Sequence, residues 1–461
     1  MAKKTKVSNL SIEERLEQAL IPNWDEPYKL PENWCWVRVD AIASIYTGNS
    51  INERVKDEKY IGQSEGLIYL ATKDIGFDSI IDYETNVRIP SADGFKVAPK
   101  FSTLLCIEGG SAGRKIGFIT QDVCFVNKLC AFVPHSKINP KYLYYAIQSD
   151  AFKKQFDAKK HGLIGGVSVK EVSSIFIPFA PIEIQNKIVE LIESVFNKLD
   201  EAKEKSQEVV DGFETRKAAI LHKAFSGELT AKWREENSCS LDDWADTTIG
   251  AESILITKGA SPRWQGISYV EDKSQTLFIT SENVREGYLD LSKEKYLENK
   301  INEIQKRSIL KKGDVLVNIV GASIGRAAIF DLDCLSNINQ AVCLIRVNSK
   351  MRNEFLCYFL NSPYAISYYN ENKVDVARAN VSLSNINKMP IILPALDEQD
   401  KIIEFLNQLL FKEMRAKEAA ESVIEQIDTM KKAILARAFR GELGTNDPSE
   451  ESAVELLKQI I

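Results

Sequence analysis

Apolar side chains recur alternately four and three residues apart along two long stretches of the chain. This average spacing of 3.5 residues is the heptad period of a coiled-coil seam. The predicted seam positions are Ile188, Ile192, Val195, Leu199, Val209, Phe213 and Ile220 in the first stretch and Ile402, Leu406, Leu409, Val423, Ile427 and Ile434 in the second. One helix over about residues 182–225 would be roughly 66 Å long, more than a globular domain can cover. The pattern therefore predicts two long helices that pack against each other.

The two stretches are copies of one segment. Lys217–Leu229 reads KAAILHKAFSGEL and Lys431–Leu443 reads KKAILARAFRGEL, a shift from 217 to 431 that also relates Gln185–Ile188 to Gln399–Ile402. Each copy closes on Phe-x-Gly-Glu-Leu, whose glycine can adopt the left-handed conformation that terminates a helix. A two-fold relation between the copies would lay the helices antiparallel and place the globular parts at opposite ends.

The heptad pattern alone is also typical of an ordinary helical hairpin or bundle core, and the duplication favours the coiled coil. Three polar residues interrupt the seam, namely Ser206, Arg216 and Glu413. Polar residues at such positions can set the register of the helices or meet a partner.

The globular halves before the two helices carry matching landmarks in the same order. The matched segments are 68–75 with 277–284, 104–114 with 315–326, 141–149 with 354–362, and 175–178 with 391–394. Short apolar runs that enter polar turns predict strands, and the irregular alternation of strands with helices predicts mixed sheets with helices beside them. The fold class is therefore predicted as α+β, with two pseudo-symmetric mixed domains separated by two long antiparallel helices. Loops differ between the halves much more than the helices do.

The repeat sets the predicted domain boundaries. They are an N-terminal helical arm (1–30), a first globular domain (31–178), a first helical spacer (179–232), a second globular domain with its leading linker (233–393), a second helical spacer (394–443) and a C-terminal tail helix (444–461). The N-terminal segment through Trp34 resembles the central linker, since Trp34 stands near the position of Trp244. A chain of 461 residues is also expected to split into domains, because single cores stop growing at roughly 250 to 300 residues.

Composition narrows the class of protein. Hydrophobic residues at 44% and charged residues at 27% are typical of a folded, soluble protein. No apolar run approaches the roughly 18 residues that span a bilayer, and the N-terminus is polar, so a cytoplasmic protein without membrane contact is expected. A net charge of −6 argues against nonspecific coating of nucleic acid but leaves sequence-specific reading open. The eight cysteines form no Cys-x-x-Cys pair and the three histidines lack ligand spacing, so neither metal sites nor disulfides are expected.

Glycine-rich loops are the most conspicuous candidates for chemistry. Gly109–Gly113 and Gly321–Gly325 lack the spacing of a P-loop or a dinucleotide-binding motif. They are either tight hairpins or loops whose following arginines, Arg114 and Arg326, meet a DNA phosphate or a guanine edge. No Asn-Pro-Pro-aromatic motif, nuclease-like acidic cluster or Ser/His/Asp set appears, which favours binding over catalysis and leaves no catalytic residue to name.

Polar and basic residues on predicted loops are the candidates for DNA contact, because they can bond phosphates or base edges. The candidates are Ser50, Arg54, Lys73, Ser111, Arg114, Lys115 and Lys160 in the first half and Lys258, Ser261, Arg263, Trp264, Asn283, Ser323, Arg326, Arg378 and Asn380 in the second. Side chains of these types on surface loops are as often only solvated.

Taken together, these features resemble the specificity subunit of a type I restriction-modification system over nearly the whole chain. The resemblance rests on Leu30–Trp34 (LPENW), on the Gly-Ser loops with their arginines, on the proline-containing segments that lead into both long helices, and on the Lys-x-Ala-Ile-Leu-x-x-Ala-Phe-x-Gly-Glu-Leu helix ends. It implies two target recognition domains that each read one half of a split DNA sequence. It also implies a coiled coil that measures the gap between the half-sites and docks two modification subunits.

The resemblance places the chemistry in partner subunits. Modification subunits would bind S-adenosylmethionine and methylate adenine, while restriction subunits would use ATP and Mg²⁺ for translocation and cleavage of double-stranded DNA. The specificity subunit itself would have no cofactor and no catalytic role. Two rival hypotheses are a coiled-coil adaptor that never touches DNA and a fused methyltransferase-nuclease, which the missing motifs disfavour. Copurification with an S-adenosylmethionine-binding partner would separate the specificity subunit from the adaptor.

Overall fold

The structure, a computed structural model, describes residues 11–22, 26–162, 165–374 and 379–461. The chain divides into two compact units. The first contains the described residues up to Lys205 together with Val423–Ile461, and the second contains Ser206–Ser422. Each unit therefore joins one globular half to parts of both helical repeats.

Short strands and helices alternate through both halves. The helices are α1 Ile12–Ala19, α2 Val39–Ile42, α3 Glu53–Lys59, α4 Pro140–Gln148, α5 Asp150–Ala158, α6 Val169–Ser173, α7 Ile182–Asp211, α8 Phe213–Phe225, α9 Ala231–Glu236, α10 Ile301–Ile304, α11 Asn353–Leu360, α12 Pro363–Asn372, α13 Leu383–Lys388, α14 Leu396–Ala438 and α15 Ala453–Lys458. The strands are β1 Cys35–Arg38, β2 Ala43–Thr47, β3 Leu67–Leu70, β4 Arg88–Ile89, β5 Val97–Ala98, β6 Thr103–Cys106, β7 Ile116–Phe118, β8 Val123–Phe125, β9 Leu129–Pro134, β10 Phe176–Phe179, β11 Ala245–Thr248, β12 Ser253–Lys258, β13 Tyr269–Val270, β14 Thr276–Ile279, β15 Tyr296–Leu297, β16 Val315–Asn318, β17 Ala327–Ile329, β18 Ser336–Ile338, β19 Val342–Val347 and β20 Pro390–Leu393.

The first unit contains two four-stranded sheets and the antiparallel pair β1–β10. One sheet has the order β2-β9-β6-β7 and is antiparallel, with Ile45 opposite Phe132 and Leu104 opposite Ala131. The other has the order β4-β3-β8-β5, in which β3 and β8 run parallel. Mixed sheets with flanking helices confirm the predicted α+β class.

The second unit repeats this plan. The pair β11–β20 corresponds to β1–β10, and the sheet β12-β19-β16-β17 is again antiparallel. The remaining sheet has the order β13-β15-β14-β18, with β14 and β18 parallel. The copies differ at one sheet edge, because β5 adds to β8 in the first unit whereas β13 adds to β15 in the second.

The core of each half includes the ends of the long helices. In the first unit Tyr142 packs with Ile188 of α7 and with Phe439, which follows α14. In the second unit Phe355 packs with Ile402 of α14. Burying a side chain of this size contributes about 1.5–3 kcal/mol, so the repeat is anchored within each domain core.

Within the first unit, α7 and the C-terminal part of α14 run antiparallel. Lys203 pairs with Asp428 at 3.3 Å, and Asp200 pairs with Lys431 at 2.5 Å. Residue numbers on α14 fall as those of their partners on α7 rise. The two helices are therefore antiparallel here, as predicted. The structure departs from the predicted seam at Val423, whose side chain is 39% exposed. An α-helix drifts by about 20° per heptad from a strict 3.5-residue repeat, so an extrapolated seam can leave the contact face.

The remaining seam positions are buried or partly buried. Those that are buried are Ile188, Ile192, Ile402, Leu406 and Ile427, and those that are partly buried are Val195, Leu199, Val209, Phe213, Ile220, Leu409 and Ile434.

The first copy of the repeat is interrupted at Gly212, where the sequence predicts one continuous helix. Arg216 donates a hydrogen bond to the main-chain oxygen of Val209 at 2.8 Å and another to the carboxylate of Glu413 at 2.6 Å. A side chain that donates to a carbonyl oxygen of a helix competes with the main-chain hydrogen bonds of that helix. Such competition is a recognised cause of kinks. Two of the polar residues that interrupt the seam therefore bond each other.

Both helix ends follow the sequence prediction. Gly227 and Gly441 adopt φ values of +80° and +73° just after α8 and α14. Beyond them the chain packs onto the start of each globular half, where Trp34 donates to Asn446 at 2.8 Å. In the first unit α1 and α15 also contact each other, and Arg15 donates to the main-chain oxygen of Ile461 at 3.0 Å.

Candidate nucleic-acid interface

The carboxyl ends of the parallel strands form an equivalent edge in each globular half. In the first half β3 leads into a single turn at Thr72–Asp74, and β8 leads into Asn127 and Lys128. In the second half β14 leads into Thr280, and β18 leads into Asn339. Ligands of open α/β sheets bind outside the carboxyl ends of parallel strands, so we call these two edges the reading edges.

A loop from the neighbouring sheet crosses each reading edge at a glycine. A β-carbon on Gly48 would lie 1.8 Å from the carbonyl oxygen of Phe125, and one on Gly259 would lie 1.7 Å from that of Ile338. Only glycine permits this close approach. The loops that contain Ser50 and Ser261 are therefore fixed at the reading edges by main-chain contact.

The first reading edge holds a cleft of about 390 Å³ with a basic lining. Its polar lining residues include Ser50, Lys56, Lys73, Asn127 and Lys128. The fold thus brings together two sequence candidates, Ser50 and Lys73, and adds three residues that the sequence analysis did not select. In the sequence, Asn127–Lys128 aligns with Asn339–Gln340, and this repeat was the available signal for two of them. The main-chain hydrogen bonds shift that alignment by one residue, because Val126 and Asn339 donate to the equivalent oxygens of Leu70 and Ile279, so Lys128 corresponds to Ala341.

The chemistry of this cleft suits nucleic acid. Lysine can donate to phosphate oxygens or to the O6 and N7 atoms of guanine, and asparagine can bond adenine bidentately.

Tyr69 also lines the cleft and donates to the main-chain oxygen of Asn49 at 2.7 Å. Burial raises the pKa of Tyr69 to about 12, so this phenol remains a donor at neutral pH. The carboxylate of Asp74 accepts from the main-chain N–H of Ala71 at 2.7 Å and caps the turn.

The Gly-Ser loops are hairpin turns that join β6 to β7 and β16 to β17. Gly113 and Gly325 have φ values of +75° and +90°. A β-carbon there would come within 2.8 Å of the ring of Phe156 or Tyr369. The glycines are therefore explained by the turn and by ring packing, which is the hairpin alternative of the sequence analysis.

The two loop arginines have different surroundings. Arg114 is exposed, and its guanidinium lies 4.8 Å from the ring centre of Phe77. Lys115 lies 5.1 Å from the same ring and donates to the main-chain oxygen of Thr72 at 2.9 Å. Arg326 instead lines a groove of about 1180 Å³ together with side chains of α8 and α14.

The second reading edge carries the candidates Ser261, Arg263 and Trp264 on the loop after β12, and the candidate Lys258 is the last residue of that strand. Lys258, Arg263 and Trp264 are exposed, and Ser261 is partly buried.

The prediction that Asn283 contacts DNA needs correction. Asn283 is 3% exposed, accepts from the main-chain N–H of Thr280 at 2.9 Å and donates to the main-chain oxygen of Asp290 at 2.9 Å. This amide caps the turn after β14, as the carboxylate of Asp74 caps the turn after β3. Its bonding groups are engaged inside the domain, so its role is structural.

The other candidates lie away from the cleft lining or have partners within their domain. Arg54 is exposed on α3 and pairs with Glu58 at 2.8 Å, and Lys160 pairs with Asp157 at 2.5 Å. The remaining three are partly buried: Ser111, Ser323 and Asn380. The candidate Arg378 lies outside the described residues.

The structure offers no grouping of His, Cys, Asp and Glu that could hold a metal ion within the described residues. All eight cysteines are free thiols. Burial raises the pKa of Cys124 to about 11 and that of Cys130 to about 12, so both remain protonated at neutral pH. In the part of the chain that the structure describes, no helix has the length and apolar content needed to cross a membrane.

Comparison with known proteins matches the chain to a family model described as the type I restriction modification DNA specificity domain, over residues 31–210 and 267–426. The chain is 25% identical to the type I restriction enzyme EcoBI specificity subunit of Escherichia coli, covering 93% of this chain and 92% of that protein. It is 23% identical to the StySPI specificity subunit of Salmonella potsdam, covering 90% of each.

Solved structures share the fold. The HsdS subunit from Thermoanaerobacter tengcongensis matches with a TM-score of 0.62 at 19% identity, covering 91% of this chain and 100% of that one. A chain solved in work on complex assembly and conformational transition of the type I R-M system matches with a TM-score of 0.67 at 18% identity, covering 90% and 100%. The family model matches twice, once in each half, and covers well over half of the residues. The chain therefore belongs to the type I restriction-modification DNA specificity family, as a DNA-recognition subunit.

Proposed function

We propose that the two globular halves read two different half-sites of one asymmetric, bipartite DNA target. The observation that carries this proposal is the repetition of the reading edge on one backbone plan with different side chains. Lys73 and Lys128 of the first edge correspond to Glu282 and Ala341 of the second, and Asn127 corresponds to Gln340. Lysine suits guanine or phosphate, whereas glutamate accepts from cytosine and alanine offers an apolar contact to a thymine methyl group. Two edges that differ in this way favour different bases.

The helical repeats would then set the distance between the half-sites and dock the partners. Two modification subunits would bind S-adenosylmethionine and methylate adenine, and restriction subunits would use ATP and Mg²⁺ to translocate and cut the DNA. This assignment is supported by family membership, and the named relatives are themselves specificity subunits of type I restriction enzymes. Duplex DNA has local two-fold axes perpendicular to its own axis. A chain that repeats its reading domain can therefore place one domain on each half-site.

The test is methylome sequencing of cells with and without the chain, followed by variants at each edge. Lys73→Ala should weaken or relax recognition of one half-site, and Gln340→Ala that of the other. Lys232→Ala is the matched control, because Lys232 is 88% exposed on α9 and belongs to neither reading edge. If deletion of the chain removed no methylated motif, the coiled-coil adaptor would be favoured and the proposal would be rejected.

The spacer function has a separate test. Removing one heptad from both helices, around Ala202 and Ala416, should change the number of bases between the half-sites and leave the half-sites unchanged. A methylome with altered half-sites and an unchanged spacer would contradict a measuring role for the helices.

A further inference from the structure

Trp264 is the most exposed of the large hydrophobic side chains in the described residues, at 90%. By contrast, Trp34, Trp36 and Trp244 are buried, and Trp233 is partly buried. The tryptophans of the described chain thus serve packing, with one exception that presents its whole ring to solvent.

The exposed ring sits on an anchored turn. Pro262–Gln265 forms a single 3-10 turn in which Pro262 is buried, and Gly266 ends the turn with φ +67°. Ile267 follows, donates its main-chain N–H to the oxygen of Pro262 at 3.1 Å and is buried against Phe278. Core residues on both sides therefore hold the turn, and the projection of the indole follows from the fold.

The turn lies in the loop that crosses the second reading edge. The loop begins at Gly259, against the carbonyl oxygen of Ile338. From Thr257 to Val270 the sequence holds two cations, Lys258 and Arg263, and no acidic residue. An aromatic ring flanked by cations is the combination with which proteins contact bases and the neighbouring phosphates.

The equivalent loop of the first half lacks this ring. The position that corresponds to Trp264, counted from the equivalent glycines, is Glu53, which begins α3. A carboxylate cannot stack on a base and is repelled by phosphates. On this loop the ring is thus confined to the second half, and the exposed Phe77 of the first half lies on a different loop, beside Arg114 and Lys115.

We propose that Trp264 stacks its indole on a base of the half-site read by the second domain and unstacks one base step there. This inference rests on the proposed function and adds a one-sided deformation of the DNA to it. Apolar side chains that enter a base step unstack it and kink the duplex, and pyrimidine–purine steps yield most easily. The second domain would then select sequence partly by deformability, at a step that it does not read by hydrogen bonds.

The experiment uses the full chain with its modification subunits and a duplex of about 30 base pairs that carries the target found by methylome sequencing. 2-Aminopurine replaces one base at a time, and the methylated adenines are left unsubstituted. We expect the wild-type complex to raise the fluorescence at one step of the second domain's half-site. Trp264→Ala should abolish this rise and weaken binding by about 5- to 150-fold, the range expected for one lost base stack.

Two further variants isolate the ring. Trp264→Phe should keep most of the affinity, and Trp264→Gln should behave as Trp264→Ala does, because it retains a long side chain without an aromatic face. Tyr288→Ala is the matched control, since Tyr288 is an exposed aromatic residue of the same unit, at 61%, and should change neither signal. The stacking proposal alone would be overturned if the wild-type complex preferred its target normally and Trp264→Ala left both affinity and fluorescence unchanged. A wild-type complex that binds the target no better than a scrambled duplex would overturn the proposed function as well.

Discussion

A buried ionic cluster in the second unit gives the sharpest stability prediction. The carboxylate of Glu398, in the first turn of α14, accepts hydrogen bonds from Arg234 at 2.6 Å, Thr230 at 2.6 Å and Trp244 at 2.8 Å. The side chains of Glu398 and Arg234 are only 4% and 9% exposed. One carboxylate therefore joins α14 to α9 and to the residue that precedes β11.

Removing this carboxylate should be costly because it strands a buried cation. Breaking a buried ion pair by deleting one partner costs about 3–5 kcal/mol. The donors of Thr230 and Trp244 would also lose their acceptor. The free-energy cost of these two lost hydrogen bonds is not additive with the cost of breaking the ion pair. For a unit of this size each kcal/mol lowers the melting temperature by about 2–4 °C. Glu398→Ala should thus lower the melting temperature of the second unit by about 6–20 °C, and Glu398→Gln by less.

Differential scanning calorimetry measures this effect, and an exposed ion pair between α14 and the residue that precedes α11 provides the control. Arg352 and Asp400 pair at 2.7 Å, with side chains 43% and 51% exposed. Such a pair contributes about 0–1 kcal/mol, so Asp400→Asn should have little effect. The reasoning is refuted if Glu398→Ala destabilises the protein no more than Asp400→Asn does. The first unit provides an internal comparison, because the position equivalent to Glu398 is the buried Ile184.

Three further predictions follow from single contacts. A double-mutant cycle on Arg216 and Glu413 should give a coupling energy of about 1 kcal/mol in urea unfolding, since the pair is only partly exposed, and a coupling of zero would remove its role in register. Gly259→Ala forces a main-chain shift, so it should weaken binding to the second half-site and spare the first, whereas equal loss at both would contradict a local effect. The Ser168 hydroxyl and main chain lower the pKa of Glu171 to about 2. Because the folded pKa is depressed, the stabilisation is complete above the ordinary pKa of 4.5 and is lost as pH falls through about 2, which a carboxyl NMR titration measures; a Glu171 midpoint near 4.5 would contradict it.

Features that depend on local periodicity and on repetition could be predicted from the sequence. The duplication, the two long helices, their glycine ends at Gly227 and Gly441, and the α+β class follow from residues that are near one another in the chain. The continuity of the first helix could not be predicted, because the break at Gly212 accompanies a bond from Arg216 to a main-chain oxygen and to a residue of the other long helix. A heptad pattern describes which face is apolar and carries no information about such bonds.

The site residues show the same division. The sequence by itself selected Ser50 and Lys73 as polar loop residues but not Lys128. Only the tertiary structure gathered them into one cleft, because the parallel pairing of β3 with β8 joins segments more than fifty residues apart. The same folding assigned Asn283 to a buried cap, a role that an amide in a polar turn does not reveal. The sequence determined the family, the duplication and the secondary structure, since these are written in local patterns. The tertiary structure decided which polar side chains face a common edge, since that depends on strand pairing and on close main-chain approach at two glycines.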